Sequence, residues 1–253
     1  GDLWLSYSVN KEDMWVSRIQ VPVQLEATAH AKDDFSQAEK LADLTDWNLY
    51  SPLWAPVSLE GKWLKMSDSD PFDYCRIERK IPASKELKVA FDIKADQNDK
   101  GLLQIEFLDE NSIACARIDL NPDGTMLSKG GARYGKLLNY EAGKSYHVEV
   151  ILSVSKRMSE VFIDGKKAGQ RMFFAPVAAI ERIAFRTGER RTFPTIDTPA
   201  DWDGTLADAG EQEPLVAYSI ANFQTSSTDV SASAAVLNYN NYKHYVDYFN
   251  GME

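Results

Sequence analysis

Apolar and polar residues alternate with a period of two through much of this chain, most clearly between residues 145 and 150. There every even position is apolar and every odd position is polar, which places the apolar side chains on one face of an extended strand. A second apolar run, at residues 161–163, ends at Asp164 and Gly165, and glycine accepts a positive φ without steric cost. The pattern therefore predicts a three-stranded meander whose third strand covers residues 166–174.

Short runs of strand-forming residues recur elsewhere, separated by turn signals such as the one at residues 121–124. The predicted strands cover residues 59–66, 74–79, 87–95, 102–108, 113–120, 179–187 and 215–223. No amphipathic helix is interleaved with them, so the pattern predicts an all-β fold, an antiparallel β-sandwich. Helix is expected only as one turn near residues 38–43 and as a short segment from about Tyr239 onward.

Charge and hydropathy exclude several classes of partner. The 253 residues carry a formal net charge of −10, and a net-acidic surface repels the phosphate backbone, so we expect no nucleic-acid partner. No stretch approaches the 18 or so uninterrupted apolar residues of a membrane-spanning helix, so we expect no membrane span. Cys75 and Cys115 form no metal-binding or disulfide motif, and we expect buried thiols.

The first residues predict a β-hairpin. Leu3, Leu5 and Tyr7 alternate with Trp4 and Ser6, a turn follows at residues 9–13, and a second strand runs to Ile19. Residues 2–19 resemble the closing strands of a sialidase-like (BNR-repeat) β-propeller. The resemblance implies that residues 1–24 are the terminal hairpin of a missing propeller plus an exit linker. We then expect a β-sandwich domain over residues 25–225 and a tail with a short helix over residues 226–253.

The meander around residues 145–174 resembles a hairpin that recurs in concanavalin A-like, laminin-G-like jelly rolls, a fold used mostly for carbohydrate recognition. The resemblance implies a concanavalin A-like jelly roll with an N-terminal β-hairpin and a short C-terminal helix. In such folds the first and last strands commonly pair, so residues 34–36 are expected near residues 222–224.

Four further segments look like the region that follows BNR-type propellers in large bacterial polysaccharide-degrading proteins. These segments are residues 47–57, 68–74, 180–191 and 194–199. The resemblance implies a glycoside hydrolase context and a secreted, periplasmic or cell-surface location. It supplies no catalytic positions that carry over to these residues.

Sugar binding needs aromatic platforms that stack on the apolar face of a pyranose, flanked by groups that satisfy its hydroxyls. Trp202 and Tyr134 are the leading candidates because their neighbours have loop character, and Arg133 and Trp54 are further candidates. The alternative for each tryptophan is burial in the sandwich core, which is its commonest position in such a fold. We therefore predict glycan contacts at these four residues while the core alternative stays open.

An acidic loop offers the one candidate metal site. Asp197, Asp201 and Asp203 lie within seven residues, and Ca²⁺ prefers several oxygen ligands on a flexible loop. The spacing departs from an EF-hand loop, and a solvated acidic loop is the alternative. Ca²⁺ is the cofactor that this cluster would hold.

Two functions from different classes fit the sequence. The first is a non-catalytic accessory module of a secreted glycoside hydrolase, which binds a glycan or buttresses the upstream propeller of the same polypeptide. The second is a jelly-roll glycan hydrolase or lyase that acts through carboxylates on the concave sheet. The 38 acidic residues supply many candidate pairs, but no catalytic constellation is readable. We expect this chain to be non-catalytic by itself and its parent protein to be a glycoside hydrolase.

Overall fold

The computed structural model describes residues 2–9, 13–20, 27, 29–70, 74–188 and 216–227. Within these ranges two antiparallel sheets pack face to face, and a separate hairpin forms a sheet of its own. The predicted all-β sandwich with an N-terminal hairpin is therefore confirmed. The predicted C-terminal helix lies outside the described residues.

The chain forms its strands in the following order. The first nine are β1 Asp2–Val9, β2 Asp13–Gln20, β3 Lys32–Asp33, β4 Trp47–Tyr50, β5 Val57–Glu60, β6 Trp63–Asp68, β7 Arg76–Ser84, β8 Glu86–Ala95 and β9 Leu103–Leu108. The others are β10 Ala114–Leu120, β11 Thr125–Gly130, β12 Arg133–Asn139, β13 Ser145–Ser153, β14 Met158–Ile163, β15 Lys166–Met172, β16 Ile180–Thr187 and β17 Val216–Ser227. Two single 3₁₀ turns, Phe35–Gln37 and Leu41–Asp43, are the helices of the described part.

One sheet has seven strands, in the order β12-β11-β10-β9-β16-β7-β4. The other has eight, in the order β15-β14-β13-β8-β17-β6-β5, with β3 beside β17. The edge strands β12 and β15 face each other at one side of the sandwich, and β4 and β5 lie at the other.

The core lies between the two sheets because alternate residues of each strand point inward. In β8, Leu87, Val89 and Phe91 are buried, and Lys88 and Ala90 between them face outward. Phe91 contacts Phe185 of the opposite sheet with ring centroids 5.1 Å apart in an edge-to-face arrangement. Hydrophobic burial between the sheets thus joins strands that are far apart in the chain.

Two predicted local features are confirmed. Asp164 and Gly165 adopt φ values of 49° and 75°, and the strand after them pairs with β14 as the Asp-Gly turn predicts. The first and last sandwich strands do pair, because Asp33 of β3 lies opposite Phe223 of β17.

The prediction of one continuous strand over residues 59–66 is wrong. The chain reverses at Gly61 and Lys62, so that Glu60 lies opposite Trp63 and the segment is the β5–β6 hairpin. Gly61 has a φ of 61°, which a glycine adopts without strain and which a tight turn requires. Because apolar residues lie on both sides of the turn, the sequence pattern resembled one continuous strand.

Both cysteines are free and buried, as their surroundings in the sequence predict. Burial raises the pKa of the Cys115 thiol to about 12, so this thiol stays protonated and unreactive at neutral pH. No helix within the described ranges has the length and apolar character that crossing a membrane requires.

Candidate functional site

The outer face of the seven-stranded sheet carries two parallel rows of side chains, all of them polar except Leu127. The strand register places Glu106 of β9, Arg117 of β10, Lys129 of β11 and Tyr134 of β12 side by side. One step along the strands a second row follows, made of Gln104, Asp119, Leu127 and Lys136. Neighbouring strands lie about 4.8 Å apart, so each row spans roughly 14 Å. We call these eight residues the polar face.

Arg117 is the centre of the polar face. Its Nε atom lies 3.0 Å from Asp119 Oδ1, and its Nη1 atom lies 3.7 Å from Glu106 Oε1. The same guanidinium donates a hydrogen bond to the Tyr134 hydroxyl. A planar guanidinium has five donors in a fixed fork, so it holds both carboxylates and the phenol in one arrangement. The Arg117 side chain is only 16% exposed, which limits its own motion.

Asp119 has the most unusual environment in this group. Burial raises the pKa of its carboxyl group to about 6, against the opposing effect of Arg117 and with a further upward effect of Glu106. The Arg117 Nε and Asp119 Oδ1 atoms are close but are not aligned as a hydrogen bond. Asp119 Oδ1 is therefore a buried acceptor that has no hydrogen-bond partner among the described residues.

Tyr134 supplies the aromatic surface. Its side chain is 47% exposed, although Arg117 and Lys129 both lie 5.9 Å from its ring centroid. Lys129 also lies 4.5 Å above the ring of Phe174, which holds the ammonium group near the tyrosine. An exposed ring fixed by two cations is a rigid platform, and rigid aromatic surfaces bind ligands with a small loss of conformational entropy.

The polar face has the parts of a sugar-binding surface. The Tyr134 ring can stack on the apolar face of a pyranose, while the carboxylate, ammonium and guanidinium groups of the same row can bond its hydroxyls. Catalytic use of Glu106 and Asp119 as a carboxylate pair is less favoured by this geometry. The guanidinium of Arg117 contacts both groups and occupies the space between them.

The three predicted sugar-binding residues that the structure describes do not all come together. Tyr134 lies on β12 rather than in a loop, and Arg133 is exposed at the start of the same strand, beside the turn. Trp54 is 44% exposed but lies in the connection from β4 to β5, at the other edge of the sheet. Six strand spacings, roughly 29 Å, separate the edge strands β12 and β4, so Tyr134 and Trp54 cannot contact one monosaccharide.

The remaining predicted residues lie outside the described part of the chain. These are Trp202 and the three acidic residues of the candidate Ca²⁺ loop, Asp197, Asp201 and Asp203. Among the described residues no group of three or more His, Cys, Asp or Glu side chains has an arrangement that could hold a metal ion.

Sequence reasoning missed Glu106, Arg117, Asp119 and Lys129. One signal was available, because Arg117 and Asp119 alternate with Ile118 and Leu120 and so share the outer face of a strand. Their proximity to Glu106, Lys129 and Tyr134 depends on the register of four strands. That register is visible only in the structure.

Comparison with known families and structures gives one family match and a set of related folds. The family model described as "Sialidase-like, CBM domain" matches residues 47–202. A comparison with curated protein sequences returned no match.

Among solved structures, a protein named sialidase is 66% identical to the chain, with a TM-score of 0.86. The match covers 100% of this chain and 23% of that one, so the chain spans less than a quarter of the length of this relative. The apo Crh5 transglycosylase is 14% identical over 81% of this chain and 87% of its own, with a TM-score of 0.56. The Emp47p carbohydrate recognition domain is 10% identical over 81% and 99%, with a TM-score of 0.50. The last two likenesses concern the fold alone.

Proposed function

Because the chain belongs to the sialidase-like CBM domain family, we propose that its carbohydrate-binding surface is the polar face centred on Arg117 and Tyr134. The observation that carries this proposal is the single row of Glu106, Arg117, Lys129 and Tyr134 across four strands. This row combines an exposed aromatic ring with acceptors and donors held at fixed positions. Such a combination is what a sugar with one apolar face and several hydroxyls requires.

The wider proposal is that this domain is a non-catalytic accessory module of a secreted bacterial glycoside hydrolase that degrades polysaccharides. Support comes from the solved structure named sialidase. This chain matches 23% of that protein, so the matched region is there one part of a larger polypeptide. Within that polypeptide the module would hold the substrate near a catalytic domain and raise its effective concentration.

Replacing Tyr134 tests the binding surface. On a glycan array we expect the 253-residue chain to bind a glycan and Tyr134→Ala to lose at least about tenfold in affinity, because truncating an aromatic anchor costs about 1.4 kcal/mol or more. Tyr134→Phe keeps the ring, so we expect it to retain most of the affinity. Trp54→Ala is the matched control, since it removes an exposed aromatic ring at the opposite edge of the same sheet.

Three outcomes of this array contradict the proposal. Undiminished binding by Tyr134→Ala excludes the polar face, and loss of binding in Trp54→Ala instead moves the site to the other edge. Release of reducing sugar by the purified chain makes the sandwich itself a hydrolase. An added arm with chelator tests the Ca²⁺ proposal for Asp197, Asp201 and Asp203, which predicts reduced binding when the cation is removed.

The N-terminal hairpin supports a second role, the buttressing of an upstream propeller. Strands β1 and β2 pair only with each other among the described strands. Trp4 is 62% exposed and Val16 is 63% exposed on one face, and Leu5 and Tyr7 are each 41% exposed on the other. An isolated two-stranded ribbon with apolar side chains on both faces is marginally stable in water. We propose that the propeller of the same polypeptide covers both faces.

Hydroxyl-radical footprinting read by mass spectrometry tests this role. In a longer polypeptide that includes the preceding domain, we expect the labelling rate of Trp4 to fall several-fold relative to the 253-residue chain, because the covering domain excludes solvent. Tyr134 serves as the internal control and should be labelled equally in both. Equal labelling of Trp4 in the two proteins contradicts the buttressing role.

A further inference from the structure

The side chain of Arg171 lies on the backbone of the opposite sheet. Arg171 belongs to the edge strand β15, where it pairs with the buried Ser159 and faces the interior of the sandwich. A Cβ atom added to Gly135 of β12 would overlap the Arg171 guanidinium, and one added to Gly130 of β11 would lie 2.6 Å from Arg171 Cβ. The arginine therefore lies across both strands, and glycine at these two positions leaves the room that it needs.

The fit between the two edge strands is reciprocal. Leu137 of β12 projects toward β15, where a Cβ atom added to Gly169 would lie 2.7 Å from Leu137 Cδ2. Carbon atoms in contact are normally about 3.5–4.0 Å apart, so alanine at this position would require a shift of its neighbour. Each edge strand thus provides a glycine for a long side chain of the other.

Shape rather than charge holds Arg171 in this place. Its Nη1 atom donates a hydrogen bond of 2.9 Å to the backbone carbonyl of Gln170, and it forms no ion pair within the described ranges. Long charged side chains can cover other surfaces with their aliphatic stems, so that their removal destabilises through lost packing. The contribution of Arg171 is therefore the packing of its stem and planar guanidinium against the glycine backbone.

The backbone that Arg171 covers lies behind the polar face. Lys129 and Tyr134 are paired in the strand register, and each is followed by one of the two glycines, Gly130 and Gly135. Successive residues of a strand face opposite sides of the sheet, so the glycines face the interior where the lysine and the tyrosine face outward. Within the described part of the chain, β12 pairs with β11 alone, so packing from behind is its other support.

From this arrangement we propose that Arg171 is a positioning residue of the glycan-binding surface. It holds β12 so that the Tyr134 ring keeps its place beside Arg117. The inference rests on the proposed binding function of the polar face. Arg171 lies on the other side of the β11–β12 ribbon and does not touch the glycan. Without this backing the Tyr134 ring is less well fixed before binding, so more conformational entropy is lost when the glycan binds.

A double-mutant cycle tests the positioning role. By isothermal titration of the 253-residue chain with the best oligosaccharide from the array, we expect Arg171→Ala and Gly135→Ala each to lose at least about threefold in affinity. Gly135 has no positive φ, so the clash with Arg171 is what opposes alanine there. The double variant lacks this clash, so we expect it to bind no more weakly than Arg171→Ala. Gln170→Ala is the matched control, because it removes the exposed neighbour on the same strand.

The aromatic NMR signals of Tyr134 in the unliganded chain report its position independently of stability. These signals are assigned by their absence from the spectrum of Tyr134→Phe. We expect Arg171→Ala to shift them at a temperature where urea unfolding shows that every variant is folded. Arg171→Lys keeps the aliphatic stem over Gly130, so we expect it to restore part of both the signal position and the affinity.

The outcomes separate this inference from the proposed function. Full affinity in Arg171→Ala, or losses in the two single variants that add in the double variant, overturns the positioning role. A loss of binding in Tyr134→Ala supports the polar face in either case. If Tyr134→Ala instead keeps full affinity, the proposed function fails. Shifted Tyr134 signals in Arg171→Ala would then still show that Arg171 positions the ring, and unshifted signals would overturn that role as well.

Discussion

Phe223→Ala is expected to lower the free energy of unfolding by about 3–5 kcal/mol, the usual cost of removing a buried phenylalanine side chain. Phe223 is fully buried in β17, with its ring centroid 5.1 Å from that of Trp47 and 6.2 Å from that of Phe185. These contacts connect the last strand, which belongs to the eight-stranded sheet, with the seven-stranded sheet. A cavity at this position therefore weakens the packing between the sheets, and a loss of this size is a large part of the stability of a typical domain.

Urea unfolding followed by tryptophan fluorescence measures this effect. Phe223→Leu is the matched control and should cost less than about 1.5 kcal/mol, because it keeps most of the apolar volume. A loss below about 1 kcal/mol for Phe223→Ala would contradict the packing described here.

Arg79→Ala is expected to cost about 3–5 kcal/mol, because it leaves a partly buried carboxylate without its ion-pair partner. Arg79 is 5% exposed, and its Nε atom lies 2.7 Å from Asp33 Oδ2. The side chain also donates to Asp46 and to the backbone carbonyl of Lys80. Because Asp33 belongs to the eight-stranded sheet and Arg79 to the seven-stranded one, this ion pair joins the two layers.

The same urea experiment measures the loss, with Arg133→Ala as the matched control. Arg133 is exposed at the start of β12, so its removal should change the stability by less than about 0.5 kcal/mol. Equal losses of unfolding free energy in Arg79→Ala and Arg133→Ala would show that the ion pair between the sheets does not stabilise the fold.

The sequence was sufficient to predict the fold where a local pattern and a turn residue agree. The alternation before Asp164 and the positive φ that Gly165 accepts predicted the meander of β13, β14 and β15. It was insufficient for β11 and β12, where β-branched residues are scarce and two glycines precede Arg133. Pairing with β10 and the tight turn at Gly131 decide the structure there, which local propensity does not reveal.

The candidate site could be predicted only in part for a related reason. Tyr134 stood out as a single aromatic residue, but its partners Glu106 and Arg117 lie 28 and 17 residues earlier in the chain, respectively. A shift of one residue in any of these pairings would turn the side chains to the other face of the sheet. The composition of the polar face is therefore a consequence of register, which the residue pattern of a single strand does not specify.

The position of a bound glycan on the sandwich shows whether the polar face is the binding surface. Backbone amide chemical shifts of the 253-residue chain, recorded by NMR during titration with the best oligosaccharide from the array, report that position. We expect the largest shifts at Arg117, Lys129 and Tyr134. Shifts confined to the outer face of the eight-stranded sheet, around Trp63, Lys94 and His147, would contradict this expectation.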